Sequence, residues 1–158
     1  MTKTTKQGFT LIEILIVVAI IAILASVVLV GLGPTQQAGR DARRISDLAE
    51  TQNGLELYYN KCGYYPGIAA SSTCGVYKAA NTWTDMTTSL TGSNIGVMSV
   101  PTDPTGGKYY QYGSTNGTSY VIEATLENSN NSALSNYNPP SIQTGVATCT
   151  APAFCRTL

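Results

Sequence analysis

The sequence predicts an α+β fold, with one long N-terminal α-helix packed on a small antiparallel β-sheet head. Three observations predict it. An almost unbroken apolar run from Ile14 to Val30 passes, after a Gly-Leu-Gly-Pro interruption, into a stretch whose apolar residues recur at three- and four-residue steps. From Gly63 onward the texture changes to short β-rich runs separated by Gly, Asn, Ser and Pro. All four cysteines lie from Cys62 onward, an even number in a turn-rich portion.

The elements follow in order. Residues 1–8 form a polar, basic leader carrying Lys3 and Lys6. Residues 9–34 are apolar, broken only by Thr10, Glu13, Ser26 and the Gly31–Pro34 segment. At about 1.5 Å rise per residue, roughly 20 residues cross a hydrocarbon core, so this segment is long enough to span one. Glu13 stands out in it: an acid costs roughly 2.5–3.5 kcal/mol at the centre of a membrane helix and less toward the interface, which marks it as functional. Gly31-Leu32-Gly33-Pro34 predicts a weakened helix, since glycine costs about 1 kcal/mol relative to alanine and proline removes a donor.

Residues 35–61 read as an amphipathic helix. Ala38, Ala42, Ile45, Leu48 or Ala49, Gln52, Leu55 and Tyr58 or Tyr59 form the expected buried stripe. Arg40, Asp41, Arg43, Arg44, Asp47, Glu50 and Glu56 are expected mostly on the opposite side. Lys61-Cys62-Gly63 supplies a basic last turn and a glycine stop, and Pro66 prevents resumption. The two segments together predict one long helix from Phe9 to about Asn60, about 78 Å at 1.5 Å per residue. Half of it must serve something other than the head.

The remainder, 62–158, is the globular β-rich head. Lys108–Tyr112 and Ser119–Leu126 read as strands joined through Gly113–Gly117, a hairpin signal. Residues 83–100 are expected to hold a short helix and a further strand, and Asn128–Gln143 reads as loop.

Composition excludes several function classes. Nine basic and nine acidic side chains balance, and removing the leader leaves seven against nine, so there is no basic surface for nucleic acid. The chain has no histidine, the commonest general base and metal ligand. No nucleophile–base pair, phosphate-binding loop or metal-ligand cluster stands in the sequence, so an enzyme is not expected and no cofactor is implied. Sparse charge, 11% of residues, with abundant Thr, Ser, Asn, Gly and Tyr, fits an exported surface protein.

An ordinary secretory signal or plain anchor is the simplest reading of residues 1–32. Ala22-Ile-Leu-Ala25-Ser26 makes a poor small-x-small cleavage site, and no cysteine follows Ala25 for lipoprotein processing. Neither reading accounts for Glu13. Gly8-Phe9-Thr10-Leu11-Ile12-Glu13, after a basic leader and before an apolar helix, resembles the N-terminal signature of type IV pilins and their pseudopilin relatives.

The resemblance implies a pilin-like fold and cleavage between Gly8 and Phe9 by a membrane aspartyl prepilin peptidase. It also implies N-methylation of Phe9 and an assembly role for Glu13. Physics supports that role. A cationic α-amino group on Phe9 and the Glu13 carboxylate share one helical face at i and i+4. An acid that is costly alone is tolerated when paired, so Glu13 can set the register of an added subunit against a neighbour's amine. In related filaments the helix commonly loosens near the segment that is Gly31–Pro34 here; family members often carry proline at the position of Val30, and this chain has Pro34 instead.

Four cysteines allow three pairings. We favour Cys62–Cys74 and Cys149–Cys155 as two local staples, the larger contributing around 3 kcal/mol in a chain-entropy account. A metal cluster fits badly without histidine or a C-x2-C pair. A C-terminal cysteine loop resembles the corresponding region of type IV pilins, though it is shorter here.

Val100–Tyr112 resembles the Asp-Pro turn before a tyrosine-rich strand in major pseudopilins. In those proteins a calcium ion ties down a later acidic, glycine-rich loop. Here Asn128-Ser-Asn-Asn-Ser132 follows Glu127, with amides in place of carboxylates. Asp103 remains a calcium candidate, but the preferred reading is a turn aspartate capping Thr105 or Gly106. Asn116 and Asn130 head three-residue glycosylation patterns.

The expected function is therefore a structural subunit of a type IV pilus, serving adhesion, motility or DNA uptake; the alternative is a major-type pseudopilin of a type II secretion system. The expected partners are copies of itself in a helical homopolymer, the prepilin peptidase and an inner-membrane assembly platform. The expected location is the cytoplasmic membrane before assembly and a surface filament afterwards.

Overall fold

The computed structural model describes residues 8–67, 74, 82–108, 110–114, 117–135 and 149–158. It divides into two compact units, Met1–Gln36 and Gln37–Leu158. The architecture is α+β: a long N-terminal helix and a three-stranded antiparallel sheet.

Helix α1 spans Leu11–Cys62. Its start is fixed by a reciprocal cap. The Thr10 backbone N–H donates to Glu13 Oε2 at 2.7 Å, while the Glu13 N–H donates to Thr10 Oγ1 at 3.3 Å. This is the Thr-x-x-Glu capping box, which satisfies two amides that a helix start leaves without partners. Its end is fixed by Gly63, whose positive φ of 78° only glycine adopts cheaply and whose N–H donates to the Tyr59 carbonyl at 2.7 Å.

The sequence predicts a weakened helix at Gly31–Pro34, yet α1 continues through Pro34. Proline forfeits one donor and crowds the preceding turn. Melting a turn in so apolar a stretch would instead free several backbone groups with no partner at hand.

In the first unit the large side chains from Phe9 to Val28 are exposed, Phe9 at 86% and Leu11 at 83%. By length and composition α1 can cross a membrane.

The second unit holds the rest of α1, then α2 (Trp83–Gly92), β1 (Gln111–Gly113), β2 (Val121–Thr125), α3 (Ser132–Ser135) and β3 (Ala153–Thr157). Helix α2 opens on Thr82, whose hydroxyl oxygen accepts from the Asp85 N–H. The expected strand within 83–100 is not there: beyond Gly92 the segment is turn and irregular backbone. The C-terminal strand β3 goes beyond the cysteine loop that the sequence predicts there, because its few alternating residues carry no strand signal of their own.

β2 is the central strand, paired antiparallel to β1 (Tyr112 opposite Ile122) and to β3 (Glu123 opposite Cys155). Period-two alternation puts Tyr112, Ile122, Ala124 and Phe154 on one face. That face joins Leu48, Leu55 and Tyr58 of α1 and Met86 and Leu90 of α2 in the main core. The opposite face gathers Val121, Cys149 and Cys155. The turn between β1 and β2 includes residues outside those described, as does the second half of the expected 128–143 loop.

The buried stripe of α1 differs from the predicted one. Ala38 and Ala42 are exposed and Ile45 is half-buried, whereas Asp41, Arg44, Asp47, Leu48, Thr51, Leu55, Tyr58 and Cys62 are buried. The helix is thus rotated so that its first two turns in the head bury charge. Polarity alone assigned those residues to solvent; partners distant in the chain bring them inside.

Candidate functional site

Among the described residues, two places matter for function, each with charge where an apolar residue would be ordinary. The first is the start of α1. Gly8, Phe9 and Glu13 are exposed there, and open space surrounds the Gly8 α-carbon. The nitrogen of Phe9 belongs to the peptide bond with Gly8, and no amine of the described residues is bonded to Glu13. Its carboxylate instead accepts from the Thr10 N–H and, at 2.6 Å, from the Thr10 hydroxyl. This cap is legible in the sequence as Thr10-x-x-Glu13.

The second place is a buried ionic cluster in the head, built around Arg44. Its guanidinium is fully buried and every N–H is used. Nε donates to Asp103 Oδ2 at 2.7 Å and Nη2 to Asp103 Oδ1 at 3.0 Å, a two-pronged grip. Nη2 also donates to Thr105 Oγ1 at 2.8 Å. Nη1 reaches Asp41 Oδ1 and Glu127 Oε1, both at 2.9 Å.

Three chain segments meet at this one cation: the α1 turn with Asp41, the Asp103–Thr105 turn, and the exit from β2 at Glu127. Each carboxylate has further donors. Asp41 accepts from the Glu127 and Asn128 amides at 2.8 and 3.0 Å. Asp103 accepts from the Thr105 amide at 2.7 Å, the turn geometry expected of it. Glu127 is gripped a second time by Arg40, at 2.8 and 2.5 Å.

Titration follows from these contacts. The Arg40 hydrogen bond, opposed by desolvation and reinforced by Arg44, holds the Glu127 carboxyl at about 2. Burial pushes Asp103 up, but the Arg44 hydrogen bonds and the Thr105 amide outweigh it and hold it below the usual carboxylate range. The Asp103 hydrogen bonds raise the Arg44 guanidinium against its own desolvation. Beside the cluster, the Tyr110 hydroxyl donates to Asp47 Oδ2 at 2.7 Å, and burial together with that carboxylate raises its pKa.

The donor set does not fit calcium. That ion takes about 6–8 oxygens at 2.3–2.6 Å. Both Asp103 oxygens face a guanidinium, and the centre of the cluster is already cationic. Among the described residues, the group of metal-capable side chains close enough to share an ion is Glu123, Cys149 and Cys155, and the two cysteines are bonded to each other.

The disulfides are Cys62–Cys74 and Cys149–Cys155. The first ties the end of α1 to the segment after it; the second joins β3 to the residue before its turn. Glu123, buried on β2, accepts from the Cys149 amide at 3.0 Å. Most described tyrosines are packed rather than displayed: Tyr58, Tyr65, Tyr110, Tyr112 and Tyr120 lie in the core. The hydroxyls of Tyr65 and Tyr120 both donate to Glu56. Burial, followed by that carboxylate, pushes Tyr65 up to about 12. Of the glycosylation patterns, Asn130 is exposed and Asn116 lies outside the described residues.

Comparison with known proteins bears on the first place. Residues 3–29 match the prokaryotic N-terminal methylation motif. The chain is 37% identical over 67 residues to the type II secretion system core protein G of Escherichia coli (strain K12), 33% over 66 residues to that of Aeromonas hydrophila, and 36% over 67 residues to that of Vibrio cholerae. These matches cover 42% of this chain and 46% of each relative, so the chain spans less than half the length of the curated relatives it matches. No solved structure matches it. The methylation motif at its head, the 52-residue helix behind it and this similarity over the N-terminal part of the chain all point to the pilin and pseudopilin family.

Proposed function

We infer that the chain is a structural filament subunit of the pseudopilin kind, working in a type II secretion system. The observation that carries this reading is the similarity to three core protein G chains, together with the methylation motif. It reverses the order of the two expectations drawn from sequence, in which a type IV pilus stood first. In this reading the leader through Gly8 is removed by a prepilin peptidase and Phe9 becomes the methylated N-terminus. The apolar arm rests in the cytoplasmic membrane until an inner-membrane platform adds the subunit to copies of itself.

The exposed apolar arm supplies the driving force. Outside the membrane the arm would face water at a cost of about 25 cal/mol per Å2 of apolar surface, so a subunit drawn out of the membrane is held in the filament by packing its arm against its neighbours'. A head-to-tail contact that does not close generates a filament. Glu13 acts as the register charge. Cleavage converts the Phe9 nitrogen into an amine, which competes with Thr10 for the Glu13 carboxylate, and a neighbouring subunit offers the same amine. The role is structural, not catalytic.

The type IV pilus is the second reading, favoured by the Cys149–Cys155 bond near the C-terminus. Deleting the gene separates the two. Loss of protein secretion without loss of surface filaments is the result expected for the pseudopilin. Loss of long sheared filaments with secretion intact would assign the chain to the pilus instead. Mass spectrometry of the membrane-extracted subunit should find Phe9 cleaved and methylated in either case, and an intact residue 1–8 leader would sink both readings.

A further inference from the structure

We propose that the head needs no divalent cation because Arg44 takes the place of one: its buried guanidinium draws Asp41, Asp103 and Glu127 together and pins two head segments to α1. This concerns the head alone and stands whichever filament the chain builds.

A calcium ion and a guanidinium solve the same problem differently. Each gathers carboxylates from segments far apart in the chain, but calcium does so at the cost of depending on the ion's concentration. Arg44 is covalently attached and charged at every working pH. Its planar fork meets Asp103 through two N–H groups, and its remaining donors meet Asp41, Glu127 and Thr105, so no donor is stranded. The surplus negative charge is offset by Arg40 on Glu127 and by the amides of Thr105, Glu127 and Asn128. A lysine at this position would keep the charge but bring three donors on a flexible stem, too few for five contacts. The segment after Glu127 is consistent with this: it carries Asn128, Asn130 and Asn131 and no further carboxylate before β3.

The test uses the full mature chain in detergent micelles, with thermal melting followed by near-UV circular dichroism of the packed tyrosines. The wild-type midpoint is expected to agree within about 1 °C in 1 mM calcium chloride and in excess chelator, since a ligand that does not bind cannot stabilise. Arg44→Met, which keeps the stem and removes the charge, leaves Asp41 and Asp103 with backbone amides alone and Glu127 with Arg40 alone, and is expected to lower the midpoint by about 10 °C or more. Should that variant not fold, Arg44→Lys decides, with an expected loss of about 5 °C and the same indifference to calcium. A wild-type midpoint that rises by several degrees with calcium overturns the proposal. So does an Arg44→Met chain, or failing that an Arg44→Lys chain, that melts with the wild type.

Discussion

The two halves of α1 differ in where their charge finds a partner. The N-terminal half is apolar and exposed, with a single acid that only a local cap satisfies. The C-terminal half buries Asp41, Arg44 and Asp47, and their partners come from the same chain. Isolated charge in an apolar surface therefore has two resolutions. The head resolves it internally and gains a fixed docking geometry. The arm satisfies it only through a one-turn cap beside exposed apolar surface, which fits the assembly role proposed for Glu13.

That contrast predicts different costs for equal changes. Leu55 is fully buried in the head, and Leu55→Ala should destabilise it by about 2–5 kcal/mol. Leu15, 60% exposed in the arm, should leave head melting unchanged when truncated, while filament yield falls. A Leu15→Ala chain whose head melts early would erase the distinction between the two halves.

Next in size, Glu13→Ala should cut filament formation on the order of 100-fold if the register charge contributes about 2.5–3.5 kcal/mol, with export and head stability intact. Equal filament mass from wild type and variant, counted by electron microscopy, would remove the register role.

Acid comes third. Glu127 has an ordinary value of 4.5 and is held at about 2 in the folded chain. A carboxyl lowered by folding stabilises fully above 4.5, and that contribution is lost as pH falls through about 2. Glu127→Gln should therefore flatten the fall of the melting midpoint across that window, with Asp103 supplying the slope that remains. Parallel wild-type and variant curves would show that the Arg40 and Arg44 contacts are not formed in solution.

The smallest effect is expected at Pro34. Pro34→Ala restores one backbone donor within a helix that already continues, so head melting should stay within about 1 °C while amide exchange near residues 30–34 slows. Faster exchange there would mean that the proline, not the helix, organises the segment.

Much of this was legible in the residues. The apolar run, the glycine stop at Gly63 and the β-rich texture after it are local signals, and each produced its element. The Gly8–Glu13 signature is local too, and so is the Thr10–Glu13 cap. What failed was the face of α1 between Ala38 and Ile45. Hydrophobic periodicity treats charge as a vote for solvent, and Arg44 cast that vote. Its partners lie 59 and 83 residues away, beyond any window that periodicity samples. β3 was missed for the same reason: Ala153–Thr157 is a strand because β2 offers it an edge.

The sequence by itself therefore determined the helix, its apolar arm, the processing signature and the presence of a disulfide-bearing β head, because caps, stops and periodic runs act over a few residues. Tertiary structure alone decided which side of the helix turned inward, which strand stood at the centre of the sheet and which cation organised the head. Those outcomes depend on pairing groups that the chain separates by dozens of residues. A buried guanidinium is stable only once all of its partners have arrived.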